Sequence, residues 1–245
     1  MKLNELFISL ALGELANSSY VELNQLELNK NQLTRVINAI NQGLTLIHTH
    51  LPLRHNQIVI QLHDNIGTYY LDSRYAKSNT DSTAAVKFIL DTPSNPFKDD
   101  ILNIIGVYNL EGQQYPLNDQ YAIGSLFTPD HNSLMVPLTM WQNHKVPYNV
   151  VDKLVLVYQA DHPKIPLNEP LTSQMEIHLS PIYQSMLQAY VAHLLHMHIG
   201  SEQSINQSNQ YFAKFNSLMQ TAKEQGIGVI TQTGINIKPI LREFI

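Results

Sequence analysis

Apolar residues recur at every third or fourth position in two stretches near the start of the chain. The first runs from Leu3 to Leu10, and the second runs from Leu33 to Ile47. This spacing places the apolar residues on one face of a helix. Asn29 or Asn31 is suited to cap the second helix, and Pro52 lies just beyond its end. The pattern predicts two amphipathic helices.

From about Asn56 the apolar residues alternate with other residues, as in a half-buried strand. Ile58, Ile60 and Leu62 lie on one face of this segment. Similar short segments follow, separated by prolines and by the turn sequence NLEG. We therefore expect short antiparallel strands in the segments TYYLDSRYA, AVKFILD, ILNIIGVYNL, QQYPLND and LVLVYQA.

Helical spacing returns at Ser180, a favourable N-cap residue that is followed by Pro181. One stripe runs from Tyr183 to Leu194, a break occurs near Gly200, and another stripe runs from Ile205 to Ala222. The pattern predicts a hairpin of two helices.

Helices at both ends with strands between them predict an α+β fold. We expect one domain over residues 1–245, with a helical bundle formed by 1–50 and 178–228 and an antiparallel β-rich insertion at 51–177. The extended C-terminal tail, 229–245, is apolar enough to dock on a partner. Its candidate contact residues are Ile235, Ile237, Ile240, Leu241, Phe244 and Ile245.

The composition favours an assembly component over a nucleic-acid-binding protein or a membrane protein. Charged residues make up 14% of the chain, against roughly 25% in ordinary domains, and Asn and Gln supply about a sixth of it. With a net charge of -5, the chain does not have the excess of Lys and Arg that binds the phosphates of nucleic acids. No apolar run approaches the roughly 18 residues that cross a bilayer. The absence of cysteine excludes disulfides and thiolate ligands.

The segment AYVAHLLHMHIGSE contains three closely spaced histidines. If Leu187 is at the centre of the apolar face, His198 lies about 20° from it, His193 about 120° and His196 about 180°. We therefore expect His198 to point inward and the other two outward. This disfavours a shared metal, so no cofactor is expected, and it makes His193 and His196 candidates for pH-sensitive inter-subunit contacts.

Other groups of polar residues give weaker indications of chemistry. His48, His50 and His55 cluster at a helix end, where cationic side chains meet the negative end of the helix dipole. Asp99 and Asp100 are adjacent, so they point to opposite faces of a strand or bond the backbone of a turn. We therefore expect no enzymatic activity, although a His-dependent metalloenzyme remains an alternative.

A second alternative comes from the tyrosines of the β-rich segment. Tyr69, Tyr70, Tyr75 and Tyr108 can form a platform for carbohydrate, because aromatic faces stack on sugar rings. This would make the protein a glycan-binding tail or adhesin module. In most sheets such residues belong to the core or to subunit contacts.

Several segments together resemble the head-to-tail adaptor, or connector, of short-tailed bacteriophages. The resemblance covers most of the chain in the same order, from LNELFISLALGEL at the start. The other segments that carry it are SNPFKDDILNIIGVYNLEGQQYPLND, SLFTPDHNSLMVP, LVYQADHP and HLSPIYQSMLQAYVAHLLHMHIGSE.

The resemblance implies a structural virion protein that forms a ring, usually twelve-fold, joining the capsid portal to the tail nozzle. The helical bundles would build the ring, and tail fibres attach to the β insertion in some members. DNA would pass through the ring without specific binding. The protein would lie in the neck of the virion, and in the host cytoplasm during assembly. The tail at 229–245 would bind the portal, although its ending KPILREFI departs from the family.

Overall fold

The fold is described here from a computed structural model, which defines residues 1–22, 27–137 and 152–225. The described residues form four α-helices and three antiparallel sheets, which confirms the α+β class. They divide into two compact units within the one predicted domain. Met1–Leu51 and the described residues from His162 onward make up the helical unit, and Pro52–Asp161 makes up the β unit.

The helical unit contains all four helices of the described chain. The predicted stripes of the first two helices are confirmed, since their apolar residues are buried. A 3-10 turn precedes the second helix, and the side chain of Asn29 caps it by accepting from the Asn31 N–H at 2.9 Å. The helices are α1 (Leu3–Leu12), α2 (Leu33–His50), α3 (Gln184–Ile199) and α4 (Glu202–Glu224), and a short hairpin pairs β1 (Val21–Glu22) with β2 (Glu27–Leu28).

The hairpin of α3 and α4 forms where the sequence predicts it, but its first cap differs. The chain enters α3 through a 3-10 turn at Pro181–Tyr183, and the Ser180 side chain makes no capping hydrogen bond. Gly200 ends α3 with a left-handed φ of 75°, which glycine adopts without strain. Ser201 then caps α4 by accepting from the Ser204 N–H at 3.2 Å.

The extended segment before α3 belongs to the helical unit, whereas the sequence placed residues 162–177 in the β insertion. The Asn41 side chain of α2 binds both backbone groups of Ile165, each at 2.9 Å. The Leu3 N–H donates to Met175 O at 2.9 Å, and the Ile177 N–H donates to Met1 O at 2.8 Å. These bonds use backbone and amide groups, which leave no hydrophobic pattern in the sequence.

The β unit is built around a three-stranded antiparallel sheet. Its central strand, β7 (Lys153–Ala160), pairs with β3 (His55–Gln61) and with β5 (Ile101–Tyr108). A second sheet pairs β4 (Thr68–Tyr70) with β6 (Ser133–Met135). The prediction of strands in AVKFILD and QQYPLND is wrong, because residues of both segments form only isolated β-bridges.

Asp91 ties together the loops of the β unit. One carboxylate oxygen accepts from the Ser78 N–H at 2.8 Å, and the other accepts from the Ser78 hydroxyl and from the Phe97 N–H at 2.9 Å. Burial on its own raises the pKa of Asp91, but these hydrogen bonds outweigh it and hold the pKa below its usual value. The ionised form therefore stabilises the fold.

We expect Asp91→Asn to lower the free energy of unfolding by about 1–3 kcal/mol near neutral pH, because charge-assisted hydrogen bonds are lost. The pKa of Asp91 is lower in the folded state, so this stabilisation is present above the ordinary carboxyl pKa and disappears as the pH falls through the folded value. Urea unfolding measured from about pH 7 down to about pH 2 should therefore show that the free energies of unfolding of the variant and of the natural protein become equal as the pH falls.

Asp81→Asn is the matched control, since Asp81 is exposed in the same loop region. It should change the free energy of unfolding by no more than about 0.5 kcal/mol. Equal losses for both variants, or a difference that does not change with pH, would contradict the role given to Asp91.

Candidate functional site

Helix α3, which carries the histidine cluster, is packed on three sides by the other helices. A Cβ on Gly43 of α2 would lie 2.8 Å from Leu187 Cδ1 and 3.1 Å from Tyr190 Cδ1, so α2 and α3 approach closely. Gln188 Nε2 donates to Ser9 Oγ of α1 at 2.5 Å. The third neighbour is α4. Few positions of α3 are therefore left on the surface.

The structure contradicts the predicted orientation of His196 and His198. His198 is exposed, whereas His196 is 5% exposed and buried. His196 Nε2 donates to Glu14 O at 3.2 Å, and its ring stacks on Tyr211 with centroids 5.5 Å apart. The expected polar side of α3 contains Gln188, Ala189 and Ala192, which are small or uncharged and are buried against the rest of the unit.

His193 is half-buried and joins α3 to α4. Its Nδ1 lies 3.1 Å from Ser208 O and 2.9 Å from Ser208 Oγ, and the Ser208 hydroxyl donates to His193 O at 2.9 Å. This is not an activated nucleophile, because the hydroxyl proton is directed at a carbonyl and Ser208 is buried. The proposal of His193 and His196 as inter-subunit contacts assumed outward side chains, and that assumption is wrong for His196.

Among the other described histidines, His48, His162 and His178 form a row of ring contacts, with the His162 and His178 centroids 6.2 Å apart. His48 is buried and its Nδ1 donates to Leu44 O at 2.8 Å, while His50 and His55 are exposed. The ring of His48 meets that of His162 edge-on, with centroids 5.5 Å apart. Within the described ranges, no three His, Asp or Glu side chains are placed to hold a metal ion.

The adjacent carboxylates Asp99 and Asp100 bind different partners. Asp99 has a left-handed φ of 54° and accepts from the Ser73 N–H at 2.5 Å. Asp100 accepts from the Tyr158 hydroxyl at 2.8 Å and pairs with Arg54 at 3.4 Å. Burial, together with the Asp100 charge, raises the pKa of Tyr158 far above its usual value. Both carboxylates hold the β unit together and do not work as a pair.

The four tyrosines do not form one platform. Tyr69 and Tyr108 are buried in the core, Tyr70 is exposed, and Tyr75 stacks on Phe88 with centroids 4.8 Å apart. A cleft of about 620 Å³ lies beside Tyr75. The distribution matches the ordinary role of tyrosine in a sheet more closely than a shared sugar-binding surface.

A groove of about 620 Å³ runs along α2 in the helical unit. Residues of α2, of the extended segment and of α3 line it, among them Asn38, Gln42, Leu46, Lys164, Leu167 and Tyr190. Tyr190 links the groove to an aromatic cluster on α3 and α4, because its ring lies 5.1 Å from that of Phe215 and 6.0 Å from that of His193. Phe212 continues the cluster and is 41% exposed.

A second exposed apolar surface lies on α1. Ile8 is 53% exposed and Leu12 is 57% exposed, while the opposite face of the helix is buried. Glu5 is also exposed and precedes Ile8 by one helical turn. Neither the groove nor this stripe was predicted, because the apolar pattern of a helix indicates only its buried face.

The candidate portal-binding residues of the tail lie outside the described residues. They are Ile235, Ile237, Ile240, Leu241, Phe244 and Ile245.

No protein-family model matches the chain, and no curated protein is detectably similar to it. Within the described ranges, none of the helices is sufficiently long and apolar to cross a membrane.

We expect His196→Ala to lower the free energy of unfolding by about 1–3 kcal/mol, because it removes a buried hydrogen bond and a ring contact with Tyr211. His198→Ala, two positions along the same helix, should cost no more than about 0.5 kcal/mol because His198 is exposed. Urea unfolding of both variants tests this order. A larger loss for His198→Ala would restore the orientation expected from the sequence.

Proposed function

We propose that the protein is a structural virion component, the head-to-tail adaptor of a short-tailed bacteriophage, without enzymatic activity. The observation that most supports this is the order of the units along the chain. Helices from both ends fold into one unit, and the residues between them form a separate β unit. This is the arrangement that the sequence resemblance implies, a helical bundle with a β insertion.

In the proposed assembly the helical bundles form a homo-oligomeric ring, twelve-fold as in the family, between the portal and the tail nozzle. The surface of α4 is suited to lasting protein contacts. Seven of its fifteen exposed residues are Asn, Gln or Ser, which cost less to desolvate than charged groups, and four are charged. Only a narrow stripe of the helix is buried in its own unit, formed by Ser204, Ser208, Phe215, Met219 and Ala222.

The net negative charge of the chain is compatible with a ring through which DNA moves. A net charge of -5 per subunit gives no dense set of cations to bind phosphates and release counterions. DNA would then pass through the ring without specific binding. The proposed location is the neck of the virion, and the host cytoplasm during assembly, with the nozzle and tail fibres as further partners.

We propose that the apolar tail binds the portal, and expect its conversion to serine to abolish portal binding at unchanged chain length. The positions are Ile235, Ile237, Ile240, Leu241, Phe244 and Ile245. Losing this much apolar contact should weaken binding by at least about a hundredfold. Co-sedimentation with a purified portal ring, with negative-stain images of the complex, measures the effect.

Tyr121→Ser with Ile123→Ser is the control, because it removes exposed apolar side chains from the β unit instead. The control should bind the portal as the natural protein does. Normal docking of the tail variant would show that the tail is not the portal contact. Failure of the natural protein to bind any portal or nozzle protein of short-tailed phages would overturn the adaptor role.

A further inference from the structure

The outer surface of α1 and the groove along α2 have complementary shapes. The outer stripe, defined as Glu5, Ile8 and Leu12 of α1, is convex because it lies on a single helix. The groove, lined by α2, the segment from Lys164 to Leu167 and Tyr190, is concave. The groove lining is mixed, with Leu46, Leu167 and Tyr190 among amides, threonines and Lys164, and such a groove can receive a convex surface that is both apolar and charged in a head-to-tail contact.

The outer stripe cannot reach the groove of its own chain. Gln188 binds Ser9 of α1, and Tyr190 lines the groove. These two residues are two positions apart on α3, which separates their side chains by about 200° around the helix axis. Helix α1 and the groove therefore lie on opposite sides of α3, and only another molecule can fill the groove with this stripe.

We propose that the outer stripe of one copy occupies the groove of the next copy. The proposal rests on the proposed ring and names the two surfaces that form it. Because the two surfaces differ, each copy offers one surface to each neighbour, and the contact repeats around a ring instead of ending at a dimer.

The charges on the two surfaces agree with this pairing. Among the described residues that line the groove, Lys164 is the one that carries charge, and it is exposed. Glu5 supplies an exposed carboxylate at one end of the outer stripe; its Oε2 accepts from the Lys2 N–H at 2.9 Å and caps α1, which leaves Oε1 to face a partner. The neighbouring groove residues Asn38 and Gln42 are uncharged amides, which can bond a helix surface without a large desolvation cost. An ion pair between Glu5 and Lys164 would fix the register of α1 in the groove.

The contact is also compatible with the dimensions of the two surfaces. From Glu5 to Leu12 the helix rises about 10 Å, and the lining of α2 from Asn38 to Thr49 spans about 16 Å. Leu46, Leu167 and Tyr190 provide apolar contacts for Ile8 and Leu12, and exposed Phe212 lies beyond Tyr190 in the aromatic cluster. One turn of helix on either side of Ile8 thus fits within the groove.

Cysteine pairs test this contact cleanly, because the chain contains no cysteine of its own. Ile8→Cys and Gln42→Cys are combined in one full-length chain, since both positions are exposed and one lies on each surface. Treatment of the purified protein with a short bismaleimide should give a ladder of covalent dimers, trimers and larger species up to the size of the ring. Each single-cysteine variant should give no ladder.

The results that would overturn the contact are equally definite. Covalent dimers from Ile8→Cys alone would show a symmetric contact between two α1 helices. If light scattering shows a ring but the double-cysteine variant gives no cross-linked ladder, the interface lies elsewhere on the subunit. A protein that stays monomeric at all accessible concentrations would have no such contact.

A second variant removes the apolar contact without a cross-linker. Ile8→Glu should lower the ring fraction at a fixed concentration at least tenfold, while circular dichroism stays unchanged because Ile8 is exposed. Ile123→Glu, the same change at an exposed isoleucine of the β unit, should leave the ring intact. Equal ring fractions for the two variants would contradict the proposal.

These outcomes separate this contact from the adaptor role. A cross-linked ladder from a protein that binds no portal would overturn the adaptor role and leave the contact standing. A portal-bound ring without a ladder would overturn the contact alone.

Discussion

The close approach of α2 to α3 at Gly43 determines where the other parts of the helical unit can lie. Any side chain larger than hydrogen at this position would meet Leu187 and Tyr190 within about van der Waals distance or less. With α2 pressed against this side, α1 and α4 must pack on the remaining sides of α3. Most of helix α3 is then enclosed, and His193 and His196 become internal contacts, whereas His198 stays exposed.

The same contact shapes the groove. Leu187 is buried beneath α2, whereas Tyr190, one turn further along, is only half-buried and forms part of the groove lining. The opposite wall is the extended segment, which Asn41 holds through both backbone groups of Ile165. This amide satisfies both backbone groups of one residue, as a neighbouring strand would. The groove is therefore built from fixed parts.

The sequence predicted elements wherever burial is one-sided. The stripes of α1 and α2 and the alternation in β3 were confirmed, because apolar and polar residues separate cleanly there. Helix α3 was also predicted, but the orientation of His196 and His198 was not, since Gln188, Ala189 and Ala192 are buried although nothing in their chemistry requires it. Prediction failed for the segment at Ile165, whose place depends on one distant amide. The groove along α2 and the exposed stripe of α1 were not predicted at all, because the residues of an exposed surface follow no regular hydrophobic pattern in the sequence.

The proposed ring contact lies on the helical unit and does not involve the exposed loop of the β unit. The β unit has its own core and a loop in which the Tyr121 N–H donates to Asp119 Oδ1 at 2.9 Å and the Asp119 N–H donates to Ser125 Oγ at 3.1 Å. This loop leaves Tyr121 88% exposed and Ile123 nearly as exposed. In the proposed ring of identical subunits this loop would be repeated once per subunit. Contacts too weak to bind alone act together when they are repeated at fixed spacing, because each binding event raises the effective concentration for the next. In the proposed ring, a loop with two apolar side chains would therefore be sufficient for a partner other than the portal that meets the whole ring.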